Sequence, residues 1–527
     1  MPAKPATPRA ELLTLAKRVA RDLRDGFSAP GALSVLGAQL AASPEAVAIL
    51  LELLQAEIRK TRPNDGLVEA LLTLFGAALE EARLAIESGA AGPAAEVVAR
   101  ARESIRAAGE AGAIPGALLM ALIQQFTAAK LDPGDDLRRL MARLVEEGGG
   151  AAAGPTDIAA QYEALAAAFD GDPFLIHGQL SEQLSAFPEA QRGRVIESFV
   201  VSDVPAMREA ALGWLLDASP SVSRPVAECL ARAAEQGLVS AEAAGRMALM
   251  RPWLPEAVQA GVDRAVRACR GRAAAPAERP AIQVASVMAS GCDGAGAQTF
   301  LVLVKRGRKM AFASLLAKHG YGLRDALVME GLSMQEIGQL KAEIATGMDP
   351  FDASPEIVRD GVAHGLAVSL DRGEPPPFGL VQFLETVGLT QVRPDRIEPG
   401  ALVAQLLADA PERPPAAALA ASKQWSKHYA FPHSWFEDGE AAQAVLRAHR
   451  GKKERVATLL AEVLPARRAR WGELLAWTAK AARDQVEDDA WVDFALVARE
   501  LLGERPLAEI PIAAWIAGHT VTALTGR

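Results

Sequence analysis

The run "GCDGAGAQ", Gly291 to Gln298, sets one carboxylate among glycines. Asp293 beside Gly294 and Gly296 could turn backbone amides toward an anion or hold a carboxylate against a ligand. The same residues also read as a glycine-rich hairpin connection, since glycine reaches turn conformations closed to other residues. A phosphate-binding loop would add Lys-Ser or Lys-Thr, and a dinucleotide fingerprint a third glycine and a helix; neither follows. Further on, "KHGYGLRDA" gathers His319, Tyr321, Arg324 and Asp325 within seven positions, a set able to exchange protons or clamp a phosphate. No nucleophile accompanies them, and local capping or pairing by Asp325 accounts for the same residues.

Two other stretches carry charge or aromatic rings. "KRGRK" puts Lys305, Arg306, Arg308 and Lys309 around a turn, where they could meet RNA phosphates or an acidic partner. Strand edges carry such cations merely to deter aggregation, and only Phe300, Phe312 and Tyr321 are near enough to stack on bases. "KQWSKHYAFPHSWFEDGE" collects Trp425, His428, Tyr429, His433 and Trp435 with Phe431 and Phe436. Its two histidines and the following Glu437 and Asp438 suggest metal ligands, but Pro432 keeps the histidines off one continuous helical face and the His-Glu-x-x-His spacing is missing. The stretch therefore reads as an aromatic interaction surface or a buried plug between helices. Neither a metal nor a cofactor is expected. The basic clusters "RGKKER" from Arg450 and "PARRARW" from Pro465 read as solvated helix ends.

Helices must position most of these residues. In "SPEAVAILLELLQAEI", Ser43 can cap the first free amides, Pro44 suits the first helical position, and Val47, Leu50, Leu51, Leu54 and Ile58 share a face. Similar segments joined at Gly or Pro continue to residue 147, and "GGGAAAGPT", Gly148 to Thr156, reads as a linker. A second break, Gly271 to Ala281, leads to "IQVASVMA", "TFLVLVK" and "KMAFASLL", three β-branched or apolar runs separated by turn signals. After them "GLRDALVMEGLSMQEIGQLKAEIA" reads as helical cover, with Ser333 and Glu336 at capping-box spacing. Six of the eight tryptophans follow Pro415. The expected fold is mostly α, a helical-repeat (α-solenoid-like) or multi-bundle architecture with a small three-stranded antiparallel β-meander near residues 281–317. The expected blocks are 1–147, 157–270, 281–350 and 351–527.

One segment carries a resemblance. "VPAMREAALGWLLDASPSVSRPVAECLARAAEQG" sets two helices, Val204 to Asp217 and Val222 to Gln236, around Ala218-Ser219-Pro220. Leu216 and Asp217 before the turn, then Val222, Arg224, Ala227 and Leu230, stand in the pattern of a HEAT or armadillo-type repeat. The segment resembles such a repeat over about one unit, with a looser second pair in "SAEAAGRMALMRPWLPEAVQAGVDRAVRACR". The resemblance implies a stacked helical array with one face free for a partner.

Composition narrows the function classes. A net charge of -9 argues against a wholesale nucleic-acid binder, which usually carries a basic face large enough to move the total. The three cysteines, Cys229, Cys269 and Cys292, lie far apart, so neither a disulfide framework nor a cysteine zinc site is expected. No apolar run reaches the ~20 residues that span a bilayer, and the N-terminal stretch passes straight into an amphipathic pattern. These readings favour a cytoplasmic, non-enzymatic helical scaffold that binds another protein or peptide, with no membrane involved. Two alternatives stand beside it. One is an RNA-associated factor using the basic hairpin; the other is an enzyme whose site draws on Asp293, His319, Arg324 and Asp325.

Overall fold

The computed structural model describes residues 8–25, 30–89, 91–147, 155–270, 282–485 and 489–525. Most of the expected linker, 148–154, and the whole 271–281 break lie outside the described residues. The chain is mostly helical and divides into two compact units. One comprises Met1–Val195 with Asp438–Glu440, the other Ile196–Glu437 with Ala441–Arg527.

The first unit is built of helices, among them Pro44–Ile58, Asp65–Ser88, Ala91–Glu110 and Gly116–Ala128. Val47, Leu50, Leu51 and Leu54 are buried along one stripe, as the 3.6-residue spacing requires. Ser43 has the extended backbone of a cap, but its hydroxyl donates to the Glu45 carboxylate at 3.4 Å instead of accepting a helix amide. The next helix is capped by side chain: Asn64 Oδ1 accepts the Leu67 amide at 3.1 Å.

The second unit opens on helical pairs. The resemblance segment forms Pro205–Ala210, a 3-10 turn Ala211–Leu216 and a helix Pro220–Glu235, with Val222, Ala227 and Leu230 buried. Asp217 folds the turn between them by accepting the Ser219 amide at 2.8 Å.

The sheet differs from expectation. It has five antiparallel strands rather than three: β1 Ile282–Ala289, β2 Ala297–Arg306, β3 Lys309–Lys318, β4 Gly322–Leu332 and β5 Phe351–Ala353, in the order β4-β3-β2-β1-β5. "GLRDALVMEGL" is expected as the first part of the helical cover, yet it is β4, paired with β3 from Lys318↔Gly322 to Met310↔Leu332. Tertiary pairing overrides propensity here: the neighbouring β3 offers a ladder of partners along nearly the whole length of this edge strand. Only at Ser333 does the helix begin, with the expected capping box to Glu336.

Helices pack on both faces of the sheet, which gives its strands the apolar support that a small sheet needs. On one face Leu301, Leu303 and Phe312 pack with Ile337 and Ile344 of the Met334–Met348 helix, rimmed by Met288, Met310 and Met329. On the other, Phe300 lies against Gly361 of the Pro355–Asp371 helix, and β1 and β5 meet the Leu464–Ala482 helix. Strand β2 is buried nearly end to end because both faces are used.

Among the described residues no single helix is long and apolar enough to cross a membrane. A bent pair, Leu33–Ala41 with Pro44–Ile58, meets that length and composition only when taken together.

Candidate functional site

The glycine-rich loop and the aromatic stretch, far apart in sequence, meet in the second unit. The Cys292 amide donates to Thr478 Oγ1 at 3.0 Å, the Gly294 amide to Ser434 Oγ at 2.8 Å, and Trp435 Nε1 to the Cys292 carbonyl at 2.9 Å. A Cβ on Gly294 would lie 1.8 Å from the Ser434 carbonyl oxygen, so this glycine serves close backbone approach rather than an anion. Asp293 closes its own loop by accepting the Ala297 amide at 2.7 Å. Burial raises its pKa, against the pull of that amide and of Lys318 and Arg470. Burial likewise raises the Cys292 thiol well above its ordinary range and leaves it unreactive.

The β3–β4 turn is held to this loop by the His319 amide, which donates to the Gly296 carbonyl at 2.8 Å. His319 is buried, and around its ring gather His364 from the 355–371 helix and Glu473 and Trp477 from the 464–482 helix. One ligand-capable atom from each of His319, His364 and Glu473 lies within 4.8 Å of the others. Trp477 packs on both imidazoles, with ring centroids 5.2 and 5.0 Å away. The two helices are further tied by Lys480 Nζ and Asp360 Oδ2 at 2.7 Å.

The hydrogen bonds decide which ring nitrogens carry protons. Gln298 Nε2 donates to the carbonyls of Ser290 and Trp477, at 3.0 and 3.4 Å, so Gln298 Oε1 faces His319 Nε2 at 3.1 Å as an acceptor. His319 Nε2 therefore holds the proton and Nδ1 a bare lone pair. His364 Nδ1 accepts the Ile397 amide at 3.2 Å, and its Nε2 lies 3.7 Å from Glu473 Oε1, beyond hydrogen-bond reach. His319 Nδ1 and His364 Nε2 are both buried without a hydrogen-bond partner. Burial pushes the His319 pKa down to about 3, so the ring is neutral at physiological pH. Burial alone would raise the Glu473 pKa, but His364 and His319 outweigh it and hold the carboxyl below its ordinary value.

The remaining expected residues are spread more widely. Arg324 pairs with Glu374 at 2.7 Å and lies over the Tyr321 ring, which Lys318 and Arg372 also approach. Asp325 is exposed, its carboxylate accepting the neighbouring Ala326 amide. Asp293, His319, Arg324 and Asp325 thus serve separate partners. The hairpin tip is exposed at Lys305, Arg308 and Lys309, while Arg306 is half-buried and donates to the Glu385 carbonyl at 3.2 Å.

Trp425 and Trp435 are buried rather than displayed on a surface, Tyr429 is half-buried, and only His428 and His433 are exposed. This is the plug arrangement. Phe431 stacks on Tyr429 and packs on Trp435 and Phe494, because rings on short irregular turns fill the space between helices. His428 and His433 join no metal-competent cluster among the described residues.

The "PARRARW" cations, expected in solvent, are spent on interior acceptors. Arg467 pairs with Glu437, Arg468 donates to the Glu500, Leu501 and Arg505 carbonyls, and Arg470 donates to the Gly294 carbonyl. Helix-end carbonyls need donors, and Arg468 supplies them at the end of the Ala490–Leu502 helix.

Comparison with known proteins follows this geometry unevenly. Residues 188–273 match the family model described as the Y4lR second domain, and residues 400–525 match that of the Y4lR C-terminal helical domain. Glu473 and Trp477 fall inside the second match, while His319 and His364 lie between the two. A protein of Sinorhizobium fredii (strain NBRC 101917 / NGR234) named "Uncharacterized protein y4lR" is 26% identical over 468 residues, covering 86% of this chain and 88% of that relative. No solved structure matches the chain.

Proposed function

We propose that the chain is a non-enzymatic, helix-rich interaction protein that binds another protein through its second unit. One observation carries this reading: Asp293, Arg324 and Asp325 are each committed to a separate structural partner, whereas Lys305, Arg308 and Lys309 stand exposed together at the tip of one hairpin. The hairpin is well anchored. Arg306 and Lys309 pair across a two-residue turn, and the strands below are sealed between helices.

A presented cluster of cations suits an acidic protein surface, where it steers encounter and fixes register. RNA is the weaker fit. Base stacking needs exposed rings, and Phe300 and Phe312 are buried in the sheet while Tyr321 is packed among cations. The tandem helices of 205–270, with their HEAT-like spacing, would supply a second face for the same partner.

Photo-crosslinking tests the reading. A benzophenone side chain placed at Arg308, and at the exposed Lys423 as control, is activated in the native cells before nuclease treatment. The expected product is a polypeptide crosslinked from position 308 alone, resistant to nuclease and lost when Lys305 and Lys309 become Glu. Crosslinked RNA would replace this reading with the RNA one, and no product at position 308 would remove the hairpin as a contact.

A further inference from the structure

We propose that His319, His364 and Glu473 together hold one divalent first-row transition-metal ion. The three donors come from three separate segments, the β3–β4 turn, the 355–371 helix and the 464–482 helix, and their ligand atoms lie within 4.8 Å of one another. Donors sharing one ion at bond lengths of ~2.0–2.2 Å sit about 3.3 Å apart, so modest side-chain rotations close the set. Two imidazoles with a carboxylate make a borderline donor set of the kind that takes zinc, iron, cobalt or manganese, and no thiolate joins it.

Three features support a metal rather than ordinary core histidines. First, His319 and His364 are 8% and 4% exposed, and each leaves a ring nitrogen without a partner, which interiors rarely tolerate. Second, the outer nitrogen of His319 is fixed by the Gln298 carboxamide, itself held by two carbonyls, which is how surrounding groups orient metal-bound imidazoles. Third, the indole of Trp477 forms an apolar wall on one side, while the Glu473 side chain is 23% exposed, so solvent reaches one of the three donors.

The His364 ring sets the condition for binding. Its Nδ1 now accepts the Ile397 amide, so in the neutral ring Nε2 bears the proton. Coordination through Nε2 shifts that proton to Nδ1 and opens the bond to Ile397. One neutral hydrogen bond at 3.2 Å is given up for a coordinate bond in a three-donor site, an exchange that favours the metal. A lone water molecule in the same place would accept from His364 Nε2 and donate to His319 Nδ1 and Glu473, leaving the Ile397 bond intact.

The two occupants are separable by titrating the EDTA-stripped, dialysed full chain with Zn²⁺, read by equilibrium dialysis with metal analysis and by hydrogen exchange at the Ile397 amide. The expected result is one Zn²⁺ per chain, with exchange at Ile397 faster by roughly tenfold, since the amide loses its acceptor. H364Q and E473Q should each weaken binding by on the order of 100-fold. Failure of the folded wild-type chain to take up Zn²⁺ or Co²⁺ at about 1,000-fold the concentration a structural site needs would overturn the proposal in favour of water. Undiminished binding by a folded H364Q/E473Q chain would place the ion elsewhere, and stoichiometric binding with unchanged Ile397 exchange would remove His364 from the ligands. Should neither variant fold, the wild-type uptake and the Ile397 exchange decide the matter alone.

Discussion

Glu57 illustrates how a single buried charge does positional work. Its Oε1 accepts the Asn64 amide at 3.0 Å and its Oε2 pairs with Lys60, while Asn64 caps the 65–88 helix. The carboxylate therefore fixes the residue that starts the next helix. Burial works to raise its pKa, but Lys60 and the Asn64 amide prevail and hold it below the ordinary value of 4.5. A depressed folded-state pKa adds stability that is fully present above the unfolded value and is lost as pH falls through the folded one. Glu57→Gln keeps an acceptor for Asn64 and removes only the charge. With Lys60 largely exposed, the loss near neutral pH should be modest, about 1 kcal/mol. Urea melts of both proteins across pH should show this gap narrowing below the ordinary carboxylate range. A gap that persists undiminished in acid would mean that the amide group, not the lost charge, causes it.

At the scale of elements, two glycines that look alike in sequence carry different burdens. Gly294 lies against the Ser434 carbonyl with no room for a Cβ, while Gly307 at the hairpin tip has a φ of +65° and open space around it. Gly294→Ala must push the loop off the 431–435 turn, breaking the Gly294–Ser434 and Trp435–Cys292 hydrogen bonds, and should cost at least ~3 kcal/mol. Gly307→Ala pays only backbone strain, about 1 kcal/mol. Tryptophan fluorescence in guanidinium melts can rank them, since the buried tryptophans of the second unit report its unfolding in both variants. Reversed order would show that the loop is soft and its glycines are there for flexibility.

The same contrast marks what could be read from sequence. The 44–58 stripe, the Ser333–Glu336 box and the β2–β3 hairpin follow from local spacing and were legible. Strand β4 was not, because its residues favour a helix until β3 supplies a ladder, and β5 is only three residues long. His319 is a loop residue, but its neighbours His364, Glu473 and Gln298 sit inside regular elements where a polar residue looks ordinary. A signal did exist. Asp360 and His364 stand four apart on one helix, and Glu473, Trp477 and Lys480 follow four and three apart on another, a polar stripe on faces otherwise apolar. Only the packing of the two helices reveals that the stripes face each other.

For the whole molecule, the question is where the first unit ends. Composition places a linker at 148–156, yet the unit's hydrophobic core runs from Ala16 through Ala186, with Phe187 packed against it. Thr127 Oγ1 donates to Ser185 Oγ at 2.7 Å, and Arg138 Nε reaches the Ser185 carbonyl at 3.4 Å, so the end of the Pro173–Leu184 helix is bonded to the preceding block. A fragment of residues 1–187 keeps this closed core and should show helical circular dichroism with a single cooperative melt. A fragment of residues 1–147 exposes the apolar ground under Ala186 and Phe187 and leaves Thr127 and Arg138 without these partners, a loss of roughly 2–3 kcal/mol. For a domain of this size that lowers Tm by about 5–10 °C. Equal melting of the two fragments would return the boundary to the 148–156 linker and make the 185–187 contacts incidental. A 1–187 fragment without a cooperative transition would show instead that the first unit depends on the rest of the chain.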